Sequence, residues 1–107
     1  MKNLLSPACD TNCPVRKTAN LIEGKWTTLI IRDLLSGKKR YFELRRSLGS
    51  ISPKMLAVRL RFLEKNGIID KKIYPTIPPK TEYQLTAHGK KLKGVIIAMD
   101  KFGKGLK

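Results

Sequence analysis

Apolar residues recur along this chain at two different periods, and the change of period marks out its elements. From Ser52 to Asn66 the sequence reads SPKMLAVRLRFLEKN, and Leu56, Leu60 and Leu63 fall at i, i+4 and i+7. That spacing lays one apolar stripe along a helix. The ends agree with the middle. Ser52 suits the N-cap, Pro53 the first helical position, and Ile51 with Leu56 the hydrophobic staple. Gly67 stands where a left-handed C-terminal cap belongs. Opposite the stripe, at about 100° per residue, lie Lys54, Val58, Arg61 and Lys65. The stretch is a helix with an apolar side and a basic side.

The same pattern predicts three helices before it. The first runs from Pro14 to about Glu23, with Val15, Ala19 and Ile22 on one side, and Gly24 ends it. The second runs from about Trp26 to Leu35, carries Leu29, Ile30, Asp33 and Leu34 in its pattern, and is apolar enough to be the central core helix. The third, Tyr41 to Leu48, places Tyr41, Leu44 and Leu48 on one face, with Arg45 and Arg46 off it. Only Gly49-Ser50-Ile51 separates this short helix from the one that begins at Ser52. Two helices joined by so short a glycine-containing turn form a helix-turn-helix, whose second helix enters the major groove of DNA.

After Gly67 the period drops towards two. Ile68 to Tyr74 is rich in β-branched residues, PTIPPK from Pro75 to Lys80 is a loop, and Thr81 to Thr86 alternates with Tyr83 and Leu85 on one side. A hairpin with a proline-stiffened tip, directly after a helix-turn-helix, is a wing. Thr86 then caps a last helix to about Phe102, with Leu92, Val95, Ile96 and Met99 on a face wide enough for a partner subunit. The predicted fold is mainly α with a small β-hairpin. It is a single winged helix-turn-helix domain over residues 1–107, comprising an N-terminal arm (1–13), the helix-turn-helix (41–66), the wing (68–86) and a C-terminal dimerisation helix (87–103).

Charge turns this architecture towards a function. The chain holds 23 Lys+Arg against 8 Asp+Glu, a formal +15. Such an excess repels itself and calls for a polyanionic partner. Between Ser36 and Tyr74 eleven basic residues face three acids, so +8 of that charge lies on the proposed reading unit. Double-stranded DNA is the first candidate and an anionic membrane surface the second. No apolar run approaches the roughly 18–20 residues of a membrane span, and the N-terminal stretch lacks a signal-peptide core, so a cytoplasmic location without membrane association is expected. Cys9 and Cys13 do not make a disulfide framework, and with His88 the only histidine they make no zinc site. His88 is expected at the surface and Trp26 in the core or an interface. One histidine, scattered carboxylates and no glycine-rich phosphate loop leave no catalytic machinery, so no enzymatic activity, cofactor or metal is expected.

Individual residues divide by their place on the helices. Lys54 and Arg61 face guanine edges or phosphate. Val58, apolar on a basic face, suits a thymine methyl, and is equally consistent with a tolerated surface valine. Arg59 lies towards the buried side, where a backbone phosphate or a salt bridge is expected. Ser52 serves a phosphate as well as a cap. Arg45 and Arg46 are phosphate clamps, joined by Lys39 and Arg40 before them and by the wing lysines Lys72 and Lys80. A sequence-neutral nucleic-acid coat, architectural or RNA-binding, is the alternative that the charge alone also allows. Few exposed aromatics for base stacking stand against it.

These motifs, in this order, resemble the HxlR-type regulators, winged helix-turn-helix proteins related to the MarR group. The resemblance is carried by CPV, GKW, RDLL, the FEL-R-R segment, IS-x-x-ML, RLRFLE-x-x-G, YP-x-x-PPK-x-EY-x-LT and Gly89, from Cys13 to about Leu92. It implies a bacterial or archaeal transcriptional regulator, a homodimer on a near-palindromic operator, with the N-terminal arm and the N- and C-terminal helices forming the dimer interface. Two positions depart from the pattern. Ala57 stands where family members often have threonine, which removes one hydroxyl contact to DNA. Phe62 stands where they usually have a polar residue, which implies extra packing or an altered surface. The resemblance also makes Cys13 a candidate redox or electrophile sensor, with Arg16 and Lys17 near it to favour the thiolate and Cys9 as a resolving partner. The alternative is a small residue buried at the dimer interface. No small-molecule effector, operator sequence or direction of regulation is named by the residues.

Overall fold

The computed structural model describes residues 13–107. Six helices and three short strands follow in the order α1 (Pro14–Leu21), α2 (Lys25–Leu35), β1 (Lys39–Arg40), α3 (Tyr41–Leu48), α4 (Pro53–Lys65), β2 (Ile69–Tyr74), β3 (Lys80–Leu85), α5 (Ala87–Lys90) and α6 (Lys93–Lys104). The helix-turn-helix and wing expected from the hydrophobic pattern are present. Cys9 and most of the N-terminal arm fall outside the described residues.

The fully buried core is one cluster fed by every long element except α1, whose Leu21 packs partly buried against it. Ile30, Ile31 and Leu34 of α2 meet Leu44 and Leu48 of α3, Leu56, Leu60 and Leu63 of α4, Ile69, Tyr83 and Leu85 of the sheet, and Ile96 of α6. The α4 stripe is fully used: Leu56 and Leu63 are 0% exposed and Leu60 2%. Ile51 is also buried, as a staple residue should be. On α2 the buried side is Thr27, Ile30, Ile31 and Leu34, whereas Leu29 is half-buried. Leu29 packs partly against the core and lines a cavity between α2 and α6. Phe62, apolar at a position expected to be polar, packs partly against the core.

The sheet has a third strand that the pattern did not announce. Its order is β1-β3-β2, with β3 antiparallel to both neighbours. Lys39 pairs with Tyr83 and Arg40 with Glu82, while the hairpin register runs from Ile69 opposite Leu85 to Tyr74 opposite Lys80. A two-residue strand of Lys and Arg has no readable alternation. Its pairing is a gift of the tertiary fold.

The C-terminal helix is not continuous. The Thr86 hydroxyl caps α5 as expected, accepting from Gly89 N at 2.9 Å. The chain then tightens, with Lys91 N donating to His88 O and Leu92 N to Gly89 O, and α6 starts afresh at Lys93. The cause lies at Gly89, which is pressed against the Ile68 carbonyl with no room for a Cβ. That contact fixes the direction of α5. Ile96 must still reach α2, so the helix axis breaks between the two demands. Among the described residues no helix is long and apolar enough to cross a membrane.

Candidate nucleic-acid interface

The geometry begins with the turn that sets α4. Ser52 takes an extended conformation, and its Oγ accepts from Met55 N at 3.0 Å. Pro53 occupies the first turn without needing a donor. At the other end Gly67 (φ 73°) reverses the chain, and Ile68 N donates to Leu63 O at 2.9 Å. With three leucines locked in the core, the opposite face has one orientation. It presents Lys54, Val58, Arg61 and Lys65, all exposed, with Val58 44% exposed. Ala57 is half-buried at the edge of that face. This is a rigid basic surface with one apolar spot at its centre.

Arg59 goes elsewhere. It is half-buried, and its guanidinium lies against Gly24, 3.5 Å from where a Cβ at that glycine would stand. Its Nε is buried without a hydrogen-bond partner, and no salt bridge to Arg59 occurs among the described residues. The salt bridge offered as one of its two expected roles is thus not made. Sequence spacing showed the side of α4 it occupies but not its neighbour, the turn that begins α2.

Around α4 the other expected cations are spread over three elements. Arg40 and Arg46 are exposed, and Lys39 and Arg45 half-buried, on β1 and α3. The α3 helix is held at its start by Arg40 N donating to Glu43 Oε1 at 2.7 Å. Lys71, Lys72 and Lys80 are exposed on the hairpin. Its tip is braced by Thr76, whose N donates to Tyr74 O and whose Oγ1 donates to Pro78 O, both at 2.8 Å.

One feature of the wing escaped the sequence. Lys72 sits opposite Glu82 in the ladder, and its ammonium lies over the Tyr74 ring, 4.9 Å from the centroid. Tyr74 OH donates to Glu82 Oε1 at 2.8 Å, and Lys38 Nζ approaches the same oxygen at 3.9 Å. The Tyr74 phenol is held above its ordinary pKa, first by that hydrogen bond and then by burial and the Glu82 charge. Tyr83 is raised mainly by burial. So this face of the wing is a compensated cluster, and Lys38 and Lys72 are partly engaged within the protein. The readable signal was the pairing of Lys72 with Glu82 across a hairpin register that composition does not give.

Cys13 is the N-cap of α1, half-buried, with its carbonyl accepting from Lys17 N at 2.9 Å. His88 is exposed, and Trp26 is partly buried against the core with Lys25 Nζ 4.4 Å from its ring centroid. No group of three or more potential metal ligands exists among the described residues.

A family model for HxlR-like helix-turn-helix proteins matches residues 21–107, from the last residue of α1 onward. This chain belongs to the HxlR-like helix-turn-helix family. It is 44% identical over 91 residues to the HTH-type transcriptional regulator sll1512 of Synechocystis sp., covering 85% of this chain and 67% of the relative. Among solved structures, it superposes on a MarR-family transcriptional regulator from Porphyromonas gingivalis W83 with a TM-score of 0.91 and 43% identity, over 95% of this chain and 100% of the other. It is also similar to the redox regulator HypR in its oxidized form, with a TM-score of 0.84 and 39% identity over 89% and 98% of the two chains. This HxlR-like protein is a DNA-binding transcriptional regulator of helix-turn-helix type. Its relatives are regulators and not enzymes.

Proposed function

We propose that this HxlR-like regulator acts in the cytoplasm as a homodimer that reads a near-palindromic duplex operator, one α4 helix in each of two successive major grooves. The observation that carries the reading is the exposed α4 face, where Lys54, Val58 and Arg61 share one rigid surface backed by three fully packed leucines. A helix held this firmly presents the same donors to every site it meets, which is what base reading needs. Arg61 and Lys54 take guanine edges or flanking phosphate, Val58 a thymine methyl, and the short Ala57 leaves its position silent. Ser52, Arg45, Arg46, Lys39, Arg40, Arg59 and the wing lysines Lys72 and Lys80 position the backbone. Two-fold symmetry sets half-sites about one helical turn apart.

Selection from random duplexes at about 150 mM salt tests this, since contacts made only to phosphate weaken steeply there. Recovery of an inverted repeat is the expected result. Equal, strongly salt-dependent affinity for unrelated duplexes, single strands and RNA would replace the reading with the sequence-neutral coat.

A thiol response through Cys13 is the second part of the proposal. It is supported by the placement of Cys13 at the start of α1 and by the similarity to a structure described as a redox regulator. Oxidation or alkylation at the α1 N-terminus changes how the two protomers meet and so the spacing of their α4 helices. Operator affinity measured before and after diamide, in the wild type and in Cys13→Ser, decides it. A loss present in the wild type and absent in the variant supports the response, and an equal loss in both overturns it.

A further inference from the structure

We propose that Ile77, at the tip of the wing, is a wedge: it enters the minor groove beside each half-site, parts one base step and bends the duplex. This rests on the operator reading proposed above and adds a way of choosing sequence that uses no hydrogen bond to a base.

The first observation is the side chain itself. Ile77 is 100% exposed, the most exposed of the large apolar side chains among the described residues, with Phe102 next at 73%. A lone apolar residue on a surface is ordinary. Its setting decides the matter here. Ile77 is the middle residue of the five between β2 and β3, and Ile73, near the end of β2, is 60% exposed as well. The fold buries Ile69, Tyr83 and Leu85 at the base of the hairpin and leaves apolar surface at its end.

The second observation is stiffness. Pro75, Pro78 and Pro79 take three of the other four loop positions, each with φ fixed by its ring. Thr76 takes the fourth and is tied at both its N and its Oγ1, to Tyr74 O and Pro78 O. Beneath the loop, Tyr74 OH reaches across the strands to Glu82 Oε1. A side chain inserted between bases has to push against their stacking. A loose tip would fold away from that load, whereas this one holds its shape and has little freedom left to lose on binding.

The third observation is charge and reach. The hairpin carries Lys71, Lys72 and Lys80 and no arginine, so it lacks the guanidinium that reads a narrow minor groove by charge. Lys80 is exposed three residues after Ile77 and can meet a phosphate without filling the groove. A partner with phosphates at its edges and an apolar slot between them fits such a tip, and a minor groove opened at a base step is one. The hairpin is rooted at the end of α4, where Ile68 N donates to Leu63 O. From Ile69 to Tyr74 the strand covers about 17 Å, at about 3.3 Å per residue. Half a turn of DNA, the step from one groove to the next, is also about 17 Å. Pyrimidine–purine steps part most easily, so the wedge extends operator choice to a flexible step outside the bases that α4 touches.

Two optical readings on the operator recovered by selection test the wedge. Energy transfer between labelled duplex ends reads the bend. 2-Aminopurine, placed in turn at each adenine flanking a half-site, brightens where a base is unstacked. The wild type is expected to draw the ends together and to brighten one flanking position. Ile77→Ala, at a fully exposed site, is expected to keep the wild-type circular dichroism spectrum and to lose both signals. It should bind about ten-fold more weakly, the lost apolar burial being partly offset by restored stacking. Its penalty for a changed base inside the half-site should match that of the wild type. Ile77→Phe, a larger wedge, should restore both signals. Lys80→Ala should weaken binding and shallow its salt dependence while the 2-aminopurine signal stays, which separates the wedge from bending by charge. If Ile77→Ala binds, bends and brightens the operator as the wild type does, the wedge is wrong and the operator reading stands. If selection recovers no inverted repeat, the operator reading falls and a wedge beside each half-site falls with it.

Discussion

Two glycines in the C-terminal helices should respond to the same substitution with opposite sign. Gly89 lies in α5, buried, where an added Cβ would overlap the carbonyl oxygen of Ile68. That oxygen cannot simply withdraw, because it accepts from Thr86 N at 3.0 Å and joins the end of α4 to the start of α5. Gly94 lies in α6 with nothing within 4 Å of an added Cβ. Alanine is worth about 0.5–1 kcal/mol over glycine inside a helix, so Gly94→Ala should gain roughly that amount. At Gly89 the same gain is opposed by overpacking, about 1–3 kcal/mol, and by strain or loss of the Thr86–Ile68 bond, about 1–3 kcal/mol for a buried group left unpaired. The net expectation is a loss of about 2–4 kcal/mol. For a domain of this length that lowers the melting temperature by roughly 10–20 °C, against a rise of a few degrees for Gly94→Ala. Urea unfolding followed at 222 nm, with a check that the m-value is unchanged, measures both. A Gly89→Ala variant within about 0.5 kcal/mol of the wild type would refute the argument. It would mean that α5 moves freely over the Ile68 carbonyl, so the helix break would need another cause.

Three further outcomes test the reading unit. Ser52→Ala removes the acceptor of Met55 N and should cost about 1 kcal/mol in the same unfolding assay, with Ser52→Gly costing only a few tenths. Arg61→Ala should weaken binding to a selected operator by about 1–3 kcal/mol and relax preference at one position per half-site, whereas Lys80→Ala should weaken all duplexes alike and shallow the salt slope by about one per site. The raised Tyr74 pKa means that the fold favours the neutral phenol. Its contribution to stability is therefore whole below the unfolded value of about 10 and is lost as pH rises through the folded one. In a titration at 295 nm, Tyr74→Phe should remove one of the raised tyrosine transitions and Glu82→Gln should bring that same transition to lower pH. No change in either variant would contradict the hydrogen bond.

How far the sequence led depends on how local each cause is. α4 was legible from end to end because its N-cap, its stripe and its C-terminal glycine all lie within sixteen residues of one another, and each acts on the helix directly. The hairpin was legible for the same reason, through alternation and a proline-rich tip. β1 was not, since Lys39 and Arg40 become a strand only by meeting Tyr83 and Glu82 more than forty residues later. The break between α5 and α6 was hidden too. Apolar spacing from Leu92 to Met99 reads as helix on either account, and the reason for the break is a clearance between Gly89 and a backbone oxygen on another element.

The site divides along the same line, and the division bears on mechanism. Which residues of α4 face outward followed from periodicity, so Lys54, Val58 and Arg61 were placed correctly on one exposed surface. What the other cations touch did not follow. Arg59 is half-buried against Gly24, and Lys38 and Lys72 surround a tyrosine–glutamate pair, so the eight net charges counted along the chain are not eight equivalent contacts for DNA. A cation already engaged must leave its partner, or share it, before it meets a phosphate, and the exchange lowers its net worth. Among the described residues, Lys54, Arg61 and Lys65 on the α4 face, the exposed Arg46, and Lys80 make no salt bridge. Binding strength should therefore concentrate on α4 and α3, with Lys38 and Lys72 serving to hold the wing at its angle to them. On that account Glu82→Ala should free Lys38 and remove a negative charge yet fail to tighten operator binding in proportion, because the wing loses the anchor of Tyr74 as it gains charge. Tighter, less selective and more salt-sensitive binding to all duplexes would show instead that the wing is held by the hairpin alone and that its charge is the larger effect.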